Sequence, residues 1–405
     1  MALVLLPGAA FAEDGDYNAK LITKPGKVIT YKQMMSDIEA LKEQYPGLVD
    51  YEFFGKTLAG LDIPVVKLGK GEKEILVVAA IHGREHITAV QAMYAIDNYA
   101  YYYAKGKKLR GMDLRKILDS VTYYIVPMAN PDGVAIATSK ANAKQKALAE
   151  KAVGKSFYRK MNKDSWKGNG RAANLNRNFP TNWADQEKSS RNRKDTDYKG
   201  KSGGSEPETQ ALMKLCMERQ FACMLTNHTY GQVLYWRDIY TGRTPGDAGL
   251  RNAVAGATGY AIDWAHGYYY GGRFEQWFRS TFNRPAIVVE MMPPRYGAPK
   301  SYANFMSVCW AKTNTLILKA ADCGKVTKNY RLYFDANKGG KLKNKPDYTR
   351  NVRTGKAIGS LPKPVRKGYS FTGWYTEKKG GTRYVAATVY EPQINTRLYA
   401  HWKKK

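Results

Sequence analysis

The chain has 405 residues, of which 43% are hydrophobic and 25% charged, as in a folded globular protein. Four cysteines are too few for a disulfide-built scaffold, and no apolar run approaches the roughly 20 residues of a spanning helix, which argues against a membrane-spanning chain. The net charge is +30, and residues 325–405 hold 20 basic against 4 acidic residues, which favours an anionic partner; no nucleic-acid-binding module accompanies this charge.

Residues 1–12 are apolar and end in Ala10-Phe11-Ala12, a small-x-small pattern typical of the cleavage site of a secretory signal peptide. The positively charged segment that normally precedes such a stretch is absent, and a disordered apolar tail is the alternative. We predict a signal peptide over 1–12, a mature start at Glu13, and secretion to the cell exterior or envelope. Export would permit disulfides: Cys216 with Cys223 and Cys309 with Cys323 are the pairs nearest in sequence, and other pairings stay open.

Helix-like and strand-like patterns alternate along most of the chain. Apolar residues at helical spacing predict helices, and alternating or continuous apolar runs predict strands. In chain order we predict helix 31–45, strands 49–54, 63–68 and 75–81, helix 87–103, strand 121–127, helix 206–217, strands 222–225 and 286–290, and helix 303–318. This alternation predicts an α/β domain over 13–323, with a mixed, mostly parallel sheet and helices on both faces.

The composition changes after Cys323. The following residues are rich in glycine and lysine, and short aromatic strands over 330–334, 369–375 and 397–402 are separated by glycine-containing turns. The change predicts a separate, small β-rich module over 324–405.

Polar side chains stand where four of the predicted strands end. His82 and Glu85 come after strand 75–81, Asn130 after strand 121–127 and His228 after strand 222–225, and Glu290 closes strand 286–290. Open α/β sheets place their sites at the carboxyl ends of the strands. We therefore expect these side chains to meet in one site.

This set, together with the segment Asn174-Leu-Asn-Arg-Asn-Phe-Pro180, resembles the zinc carboxypeptidase family of the carboxypeptidase A type. The resemblance covers roughly residues 31–319. It implies one Zn²⁺ held by His82, Glu85 and His228, with a fourth position left open for chemistry. It also implies that Glu290 is the general base.

The resemblance further implies which residues contact the substrate. Asn176 and Arg177 match the pair that binds the terminal carboxylate, and a planar guanidinium suits a carboxylate because it binds bidentately. A second basic residue is expected, with Arg171, Lys167 and Arg159 as competing candidates and Arg171 included in the predicted site. A mobile tyrosine is expected within Tyr268-Tyr-Tyr270; we assign Tyr270, although an aromatic strand edge fits the triplet nearly as well.

Two features depart from a simple match. The residue two positions before Asn176 is usually an aspartate that accepts a hydrogen bond from the first zinc histidine; here it is Asn174, which offers a carbonyl without full charge. His82, Glu85 and His86 also spell an inverted zinc motif in which both histidines bind metal. That motif belongs on a helix, whereas His82 follows a predicted strand, so we predict that His86 starts a helix near the site.

The short-loop form of segment 174–180 is similar to bacterial relatives that cut the γ-D-glutamyl–diaminopimelate bond of peptidoglycan stem peptides. Such stems carry several carboxylates, which suit a basic cleft containing Lys167, Arg171, Arg177 and Arg273. The resemblance therefore implies a secreted zinc metallopeptidase acting near a free carboxylate. A general metallocarboxypeptidase is one alternative, and a catalytically inactive surface-binding protein is another.

The tail resembles one Listeria–Bacteroides repeat of the internalin type, through segments 332–340, 368–375 and 398–402. The resemblance implies a β-grasp-like module of secreted and surface proteins without catalysis of its own. Its positive charge makes an anionic cell-wall polymer a candidate partner. We expect a chain ending near Cys323 to fold and to bind zinc without it.

Overall fold

The computed structural model describes residues 22–24, 26, 28–184, 189–237, 242–263, 271–294, 302, 304–338, 340–342 and 348–405. The predicted signal peptide and the triplet Tyr268-Tyr-Tyr270 lie outside these residues.

A mixed sheet forms the centre of the first domain. The strands up to residue 290 are β1 (Val49–Lys56), β2 (Asp62–Gly69), β3 (Lys73–Ala79), β4 (Lys108–Leu109), β5 (Met112–Asp113), β6 (Val121–Val126), β7 (Met224–His228), β8 (Val233–Tyr235), β9 (Ala261–Asp263) and β10 (Ala286–Glu290). β4 and β5 form a small ribbon, and the other eight pair in the order β1-β2-β6-β3-β7-β10-β8-β9. The central strands β6, β3, β7 and β10 are parallel, which confirms the predicted sheet type.

Helices cover both faces of this sheet. They are α1 (Tyr31–Gln44), α2 (Ile87–Lys105), α3 (Leu114–Ser120), α4 (Pro131–Ala137), α5 (Ala143–Val153), α6 (Lys155–Lys160), α7 (Pro207–Glu218), α8 (Asp247–Thr258), α9 (Phe274–Phe282), α10 (Ala311–Thr313) and α11 (Leu316–Lys319). Ile75 and Val77 of β3 pack with α1, α2 and α8, whereas Leu76 and Val78 pack with α7 and α9. Both faces of the strand are therefore buried, as its continuous apolar run predicts.

The prediction of one regular helix over 303–318 is wrong. The chain forms a π-helix over Phe305–Trp310, followed by the short helices α10 and α11. The Thr313 hydroxyl donates to the Cys309 carbonyl at 2.9 Å, a side-chain bond that competes with regular helix bonding. Among the described residues, no helix has the length and apolar character needed to cross a bilayer.

The tail forms its own sheet, which confirms a β-rich module. Its strands are β11 (Asn329–Asp335), β12 (Thr349–Arg353), β13 (Tyr369–Tyr375), β14 (Arg383–Tyr384) and β15 (Thr396–Lys404), in the order β12-β11-β15-β13-β14. Trp374 and Leu398 belong to a separate apolar core beneath this sheet.

The module contacts the first domain at the C-terminal end of α9. The buried Arg284 donates to the Tyr330 hydroxyl at 2.9 Å, and Asn283 donates to the Asn329 carbonyl at 3.0 Å. Asn395 donates through its backbone to the Thr281 carbonyl and through its side chain to the Ser280 carbonyl, each at 2.6 Å. The two sheets are therefore joined by a hydrogen-bonded interface.

All four cysteines are buried free thiols in this structure. Cys223 and Cys323 hydrogen-bond to each other, although 100 positions separate them along the chain. The cysteines that meet in space are therefore neither of the pairs nearest in sequence.

Candidate active site

Three parallel strands end side by side and bring their last residues together. His228 is the final residue of β7, and Glu290, the final residue of β10, is its register partner. β3 pairs with β7 up to Ala79 opposite Asn227, and the chain then turns into a 3-10 turn, Gly83–Glu85, just after His82. Gly83 lies so close to the next loop that an added Cβ would meet the Gly133 carbonyl oxygen at 2.4 Å. Only glycine fits this turn.

Asn130, at the end of a fourth strand, has a structural role. Its side chain accepts from the Gly133 backbone at 2.9 Å and donates to the carbonyls of Ile81 and Gly168 at 3.2 and 3.1 Å. These bonds cap α4 and fix the loop that supports the Gly83 turn. Asn130 does not line the cavity that opens over the other three strand ends.

His82, Glu85 and His228 form a buried cluster whose possible ligand atoms all lie within 4.8 Å of one another. Nδ1 of His82 is 2.8 Å from Oε1 of Glu85, and Nδ1 of His228 is 2.9 Å from Oε2. The two Nδ1 atoms are 3.2 Å apart. Three electron-pair donors thus point at a common centre.

The other ring nitrogens show that this cluster fits a metal ion. Nε2 of His82 is 3.0 Å from Oδ1 of Asn174, and Nε2 of His228 is 3.7 Å from Oε1 of Glu275. The Nε2 proton of His82 is directed at Asn174 and leaves an electron pair at Nδ1, and His228 presents its Nδ1 to the same centre, where a metal ion would take the place of a proton. A positive charge between the two Nδ1 atoms, either a proton or a metal ion, stabilises their close approach. Two histidines plus one glutamate form a catalytic zinc set with an open position.

The cluster keeps Glu85 ionised. Burial acts to raise the pKa of Glu85, but the two histidines hold it well below its usual range. Burial lowers the pKa of His82 to about 3. Burial acts in the same direction on His228, but Glu275 and Glu85 raise its pKa to about 10. The site therefore offers a carboxylate at neutral pH, and a bound metal would replace the proton on His228.

Glu290 stands beside the cluster without being part of it. Burial raises the pKa of Glu290 to about 7, with His228 opposing and Glu85 reinforcing the shift. The residue is partly exposed to the cavity, but its Oε2 atom is shielded and has no hydrogen-bond partner among the described residues. A carboxylate with a pKa near neutrality and a free oxygen suits proton transfer.

A cavity of about 270 Å³ opens over the cluster and is rich in cations. Its charged lining consists of Arg84, Glu85, Lys167, Arg177, Arg273 and Glu290, with Asn176 and both cluster histidines also exposed to it. Arg177 Nη2 and Lys167 Nζ lie 3.6 and 3.3 Å from the same oxygen of Asp197. An anionic ligand would find four basic side chains here.

The structure does not bring every predicted site residue to this cavity. Arg171 donates to Oε2 of Glu206 at 2.6 Å and to the Ser205 carbonyl at 2.8 Å, and it is absent from the lining. Arg159 is exposed on α6. Of the three candidates for the second carboxylate contact, only Lys167 lines the cavity. Tyr270 lies outside the described residues, so its assignment stays a prediction.

His86 precedes α2 and is not one of the three clustered ligands. Its Nδ1 contacts the hydroxyl of Tyr302 instead. The inverted zinc motif is therefore not formed.

Two carboxylates near the cluster are not among the residues predicted from the sequence. Glu275, at the start of α9, contacts the Thr226 hydroxyl and lies 3.5 Å from Nδ2 of Asn176. Asp197 is 3.0 Å from Nδ2 of Asn174. Neither belongs to a motif with a recognisable spacing, so only the folded chain reveals them.

Both parts of the chain are similar in sequence to known protein families. Residues 34–288 match the sequence profile of the family described as zinc carboxypeptidase, and residues 330–401 match that of the Listeria-Bacteroides repeat domain. The first match spans more than half of the chain.

Relatives in sequence include both bacterial and animal proteins. The γ-D-glutamyl-L-diamino acid endopeptidase 1 of Lysinibacillus sphaericus is 29% identical over 262 residues, which cover 64% of this chain and 65% of that protein. A zinc carboxypeptidase of Simulium vittatum is 26% identical, covering 66% of this chain and 86% of that protein. Human carboxypeptidase B is also 26% identical, covering 58% and 54%. The chain thus spans less than two thirds of the length of the first and third of these relatives.

Solved structures share the fold. Thrombin activatable fibrinolysis inhibitor superposes with a TM-score of 0.60 at 19% identity, over 76% of this chain and 78% of that one. Carboxypeptidase A from Helicoverpa armigera gives 0.56 at 17% identity, over 74% of each chain.

Proposed function

Because the chain belongs to the zinc carboxypeptidase family, we propose that it is a secreted peptidase that hydrolyses the γ-D-glutamyl–diaminopimelate bond of peptidoglycan stem peptides. The observation that carries the peptidase assignment is the convergence of His82, Glu85, His228 and Glu290 on one cavity. Together with the family, this cluster makes the protein a zinc-dependent hydrolase.

The chemistry follows from the residues around the metal position. His82, Glu85 and His228 would hold the ion, which when bound supplies Lewis-acid polarisation of the scissile carbonyl and of a water molecule. Glu290 accepts the proton of the attacking water and returns it to the leaving nitrogen, a transfer that its pKa of about 7 suits. Lys167 lines the same cavity and is largely buried, and its positive charge would stabilise the oxygen on which negative charge develops.

The cations of the cavity support a substrate with more than one carboxylate. Arg177 offers a planar fork for a carboxylate, and Arg84, Lys167 and Arg273 add positive charge on the same walls. A peptidoglycan stem peptide carries several carboxylates, and the Lysinibacillus relative is named for cutting a γ-D-glutamyl-diamino acid bond. These two observations support the stem-peptide substrate over an ordinary C-terminal residue.

General carboxypeptidase action is the second candidate. The relatives from Simulium and human are named as carboxypeptidases, and Arg177 serves a C-terminal carboxylate equally well. The distinction lies in the bond: a γ-linked isopeptide bond for the first candidate and an α-linked terminal bond for the second.

The location and the tail belong to the same proposal. The apolar start ending in Ala10-Phe11-Ala12 supports export. The repeat domain and its excess of basic residues support a role in holding the enzyme near an anionic cell-wall polymer.

The test uses two defined peptides of equal length, one with a γ-D-glutamyl–diaminopimelate bond and one with only α-linked residues and a free C-terminus. Products are identified by mass spectrometry after incubation with the zinc-loaded full chain. We expect cleavage of the γ-linked bond at least about tenfold faster. Faster release of the C-terminal residue from the α-linked peptide would instead establish general carboxypeptidase action, and no cleavage of either would reject both.

A further inference from the structure

We infer that Asp197 is a positioning residue of the zinc site, acting on His82 through the side-chain amide of Asn174. The inference rests on zinc binding by His82, Glu85 and His228, the core of the proposed function. Histidine ligands of zinc usually donate their second N–H to a carboxylate or carbonyl, which sets the ring orientation and raises the basicity of the ligating nitrogen. In this chain the direct acceptor is an uncharged amide.

Hydrogen bonding determines how the Asn174 amide is oriented. Its Oδ1 accepts from the backbone N–H of Asn176 at 3.0 Å and from Nε2 of His82 at 3.0 Å. Its Nδ2 donates to Oδ1 of Asp197 at 3.0 Å and to the Thr196 carbonyl at 3.3 Å. The reversed orientation would set an NH₂ group against two donors, so the oxygen must face His82.

A chain of hydrogen bonds therefore runs from His82 to Asn174 and on to Asp197. Asn174 is fully buried, and its neighbour Asp197 carries a negative charge at the far end of the amide. A carboxylate accepting from Nδ2 polarises the amide and makes Oδ1 a stronger acceptor for the His82 proton. Asn174 carries no negative charge, and Asp197, the next residue in the hydrogen-bond chain, supplies it instead.

The segment that carries Asp197 is fastened to the site. The Tyr198 carbonyl accepts from the Asn174 backbone at 2.7 Å, and the Asp195 carboxylate accepts from the Asp197 backbone at 2.9 Å. The same carboxylate oxygen that meets Asn174 also meets Lys167 and Arg177. Asp197 thus links the ligand His82 to two of the four basic side chains of the cavity, Lys167 and Arg177.

The experiment measures the Zn²⁺ dissociation constant of the purified full chain by competition with a chromophoric chelator. Asp197→Asn keeps the shape and removes the charge, and we expect zinc binding to weaken about tenfold, the lower end of the effect seen for such supporting residues. The exchanged pair Asn174→Asp with Asp197→Asn returns a carboxylate directly to His82 and should restore affinity to at least that of the parent chain. Asp195→Asn is the matched control, since it loses the same charge in the same segment and keeps an acceptor.

Unchanged zinc affinity in Asp197→Asn would overturn the inference. So would a loss that the exchanged pair does not restore, because Asp197 would then act on Lys167, Arg177 or the segment rather than on His82. An equal loss of zinc affinity in Asp195→Asn would show that any negative charge in this segment has the same effect, and this would also overturn the inference. If the parent chain itself binds no zinc, the proposed function fails. That result can be told apart from the three outcomes above, because each of them requires a parent chain that binds zinc.

Discussion

At the scale of single residues, Arg177 is the side chain that we propose binds the substrate carboxylate. It is buried, lines the cavity, and donates through Nη1 to the Asn176 carbonyl at 2.7 Å, which holds the guanidinium in place. A planar guanidinium fixed in one orientation binds a carboxylate through two parallel hydrogen bonds, whereas lysine offers a single point charge.

Arg177→Lys should therefore lower kcat/KM by about tenfold to a hundredfold for a peptide with a free carboxylate, since hydrogen bonds to charged groups contribute about 1.5–3 kcal/mol. The amidated counterpart should lose much less. The measurement is the ratio of kcat/KM between the two peptides. Arg171→Lys is the control, because Arg171 pairs with Glu206 outside the cavity and should leave the ratio unchanged. Equal losses on both peptides for Arg177→Lys would show that Arg177 does not bind the carboxylate.

The residues predicted from the sequence and those that were missed differ in one physical respect. His82, Glu85, His228 and Glu290 stand at or next to strand ends, where an apolar run followed by a polar side chain marks a site. Asp197 lies in an irregular segment, and its contact with Asn174 depends on the path of that segment in space. No spacing along the chain encodes such a contact.

At the scale of elements, the register of β3, β7 and β10 assembles the site. The strand predicted over 222–225 is observed over Met224–His228, so His228 ends the strand instead of following it. The reason lies in both neighbours: β7 pairs with β3 as far as Asn227 and with β10 as far as His228. Pairing across two neighbours extends a strand beyond its apolar residues, and a single sequence does not contain that information.

Helix α9 connects the site with the tail. Its first turn carries Glu275, which lies beside His228, and Ser280 and Thr281 near its end accept hydrogen bonds from Asn395 of the module. The apolar pattern of this segment gives no sign of either contact.

At the scale of the whole molecule, the module is part of the packed structure and not a freely tethered tail. Ile394 packs against the apolar core that contains α7 and α9, and the buried Arg284 uses Tyr330 as a hydrogen-bond partner. A buried guanidinium that loses a partner costs free energy. The sequence predicts the module, but it also leads us to expect a first domain that is independent of it, and these contacts contradict that expectation.

A chain ending at Cys323 should still bind zinc, since the three clustered ligands His82, Glu85 and His228 all precede the cut. It should unfold at a temperature lower by a few degrees, because four interface hydrogen bonds of about 0.5–1.5 kcal/mol each are lost, and 1 kcal/mol corresponds to about 2–4 °C in domains of 150–250 residues and to less in a larger one. Differential scanning calorimetry of the zinc-loaded proteins measures this shift. An unchanged melting temperature would show that the interface contributes nothing to stability.

The proposed activity depends on proton transfer by Glu290 next to a zinc ion held by His82, Glu85 and His228. The most direct test is to measure zinc per chain and turnover of the γ-linked peptide for the parent chain and for Glu290→Gln. We predict one zinc per chain in both proteins and a turnover lower by about 10²–10⁴-fold in the variant, the range of general acid–base catalysis. Loss of zinc from the variant would show that Glu290 helps to hold the metal, and turnover equal to that of the parent chain would show that Glu290 is not the base.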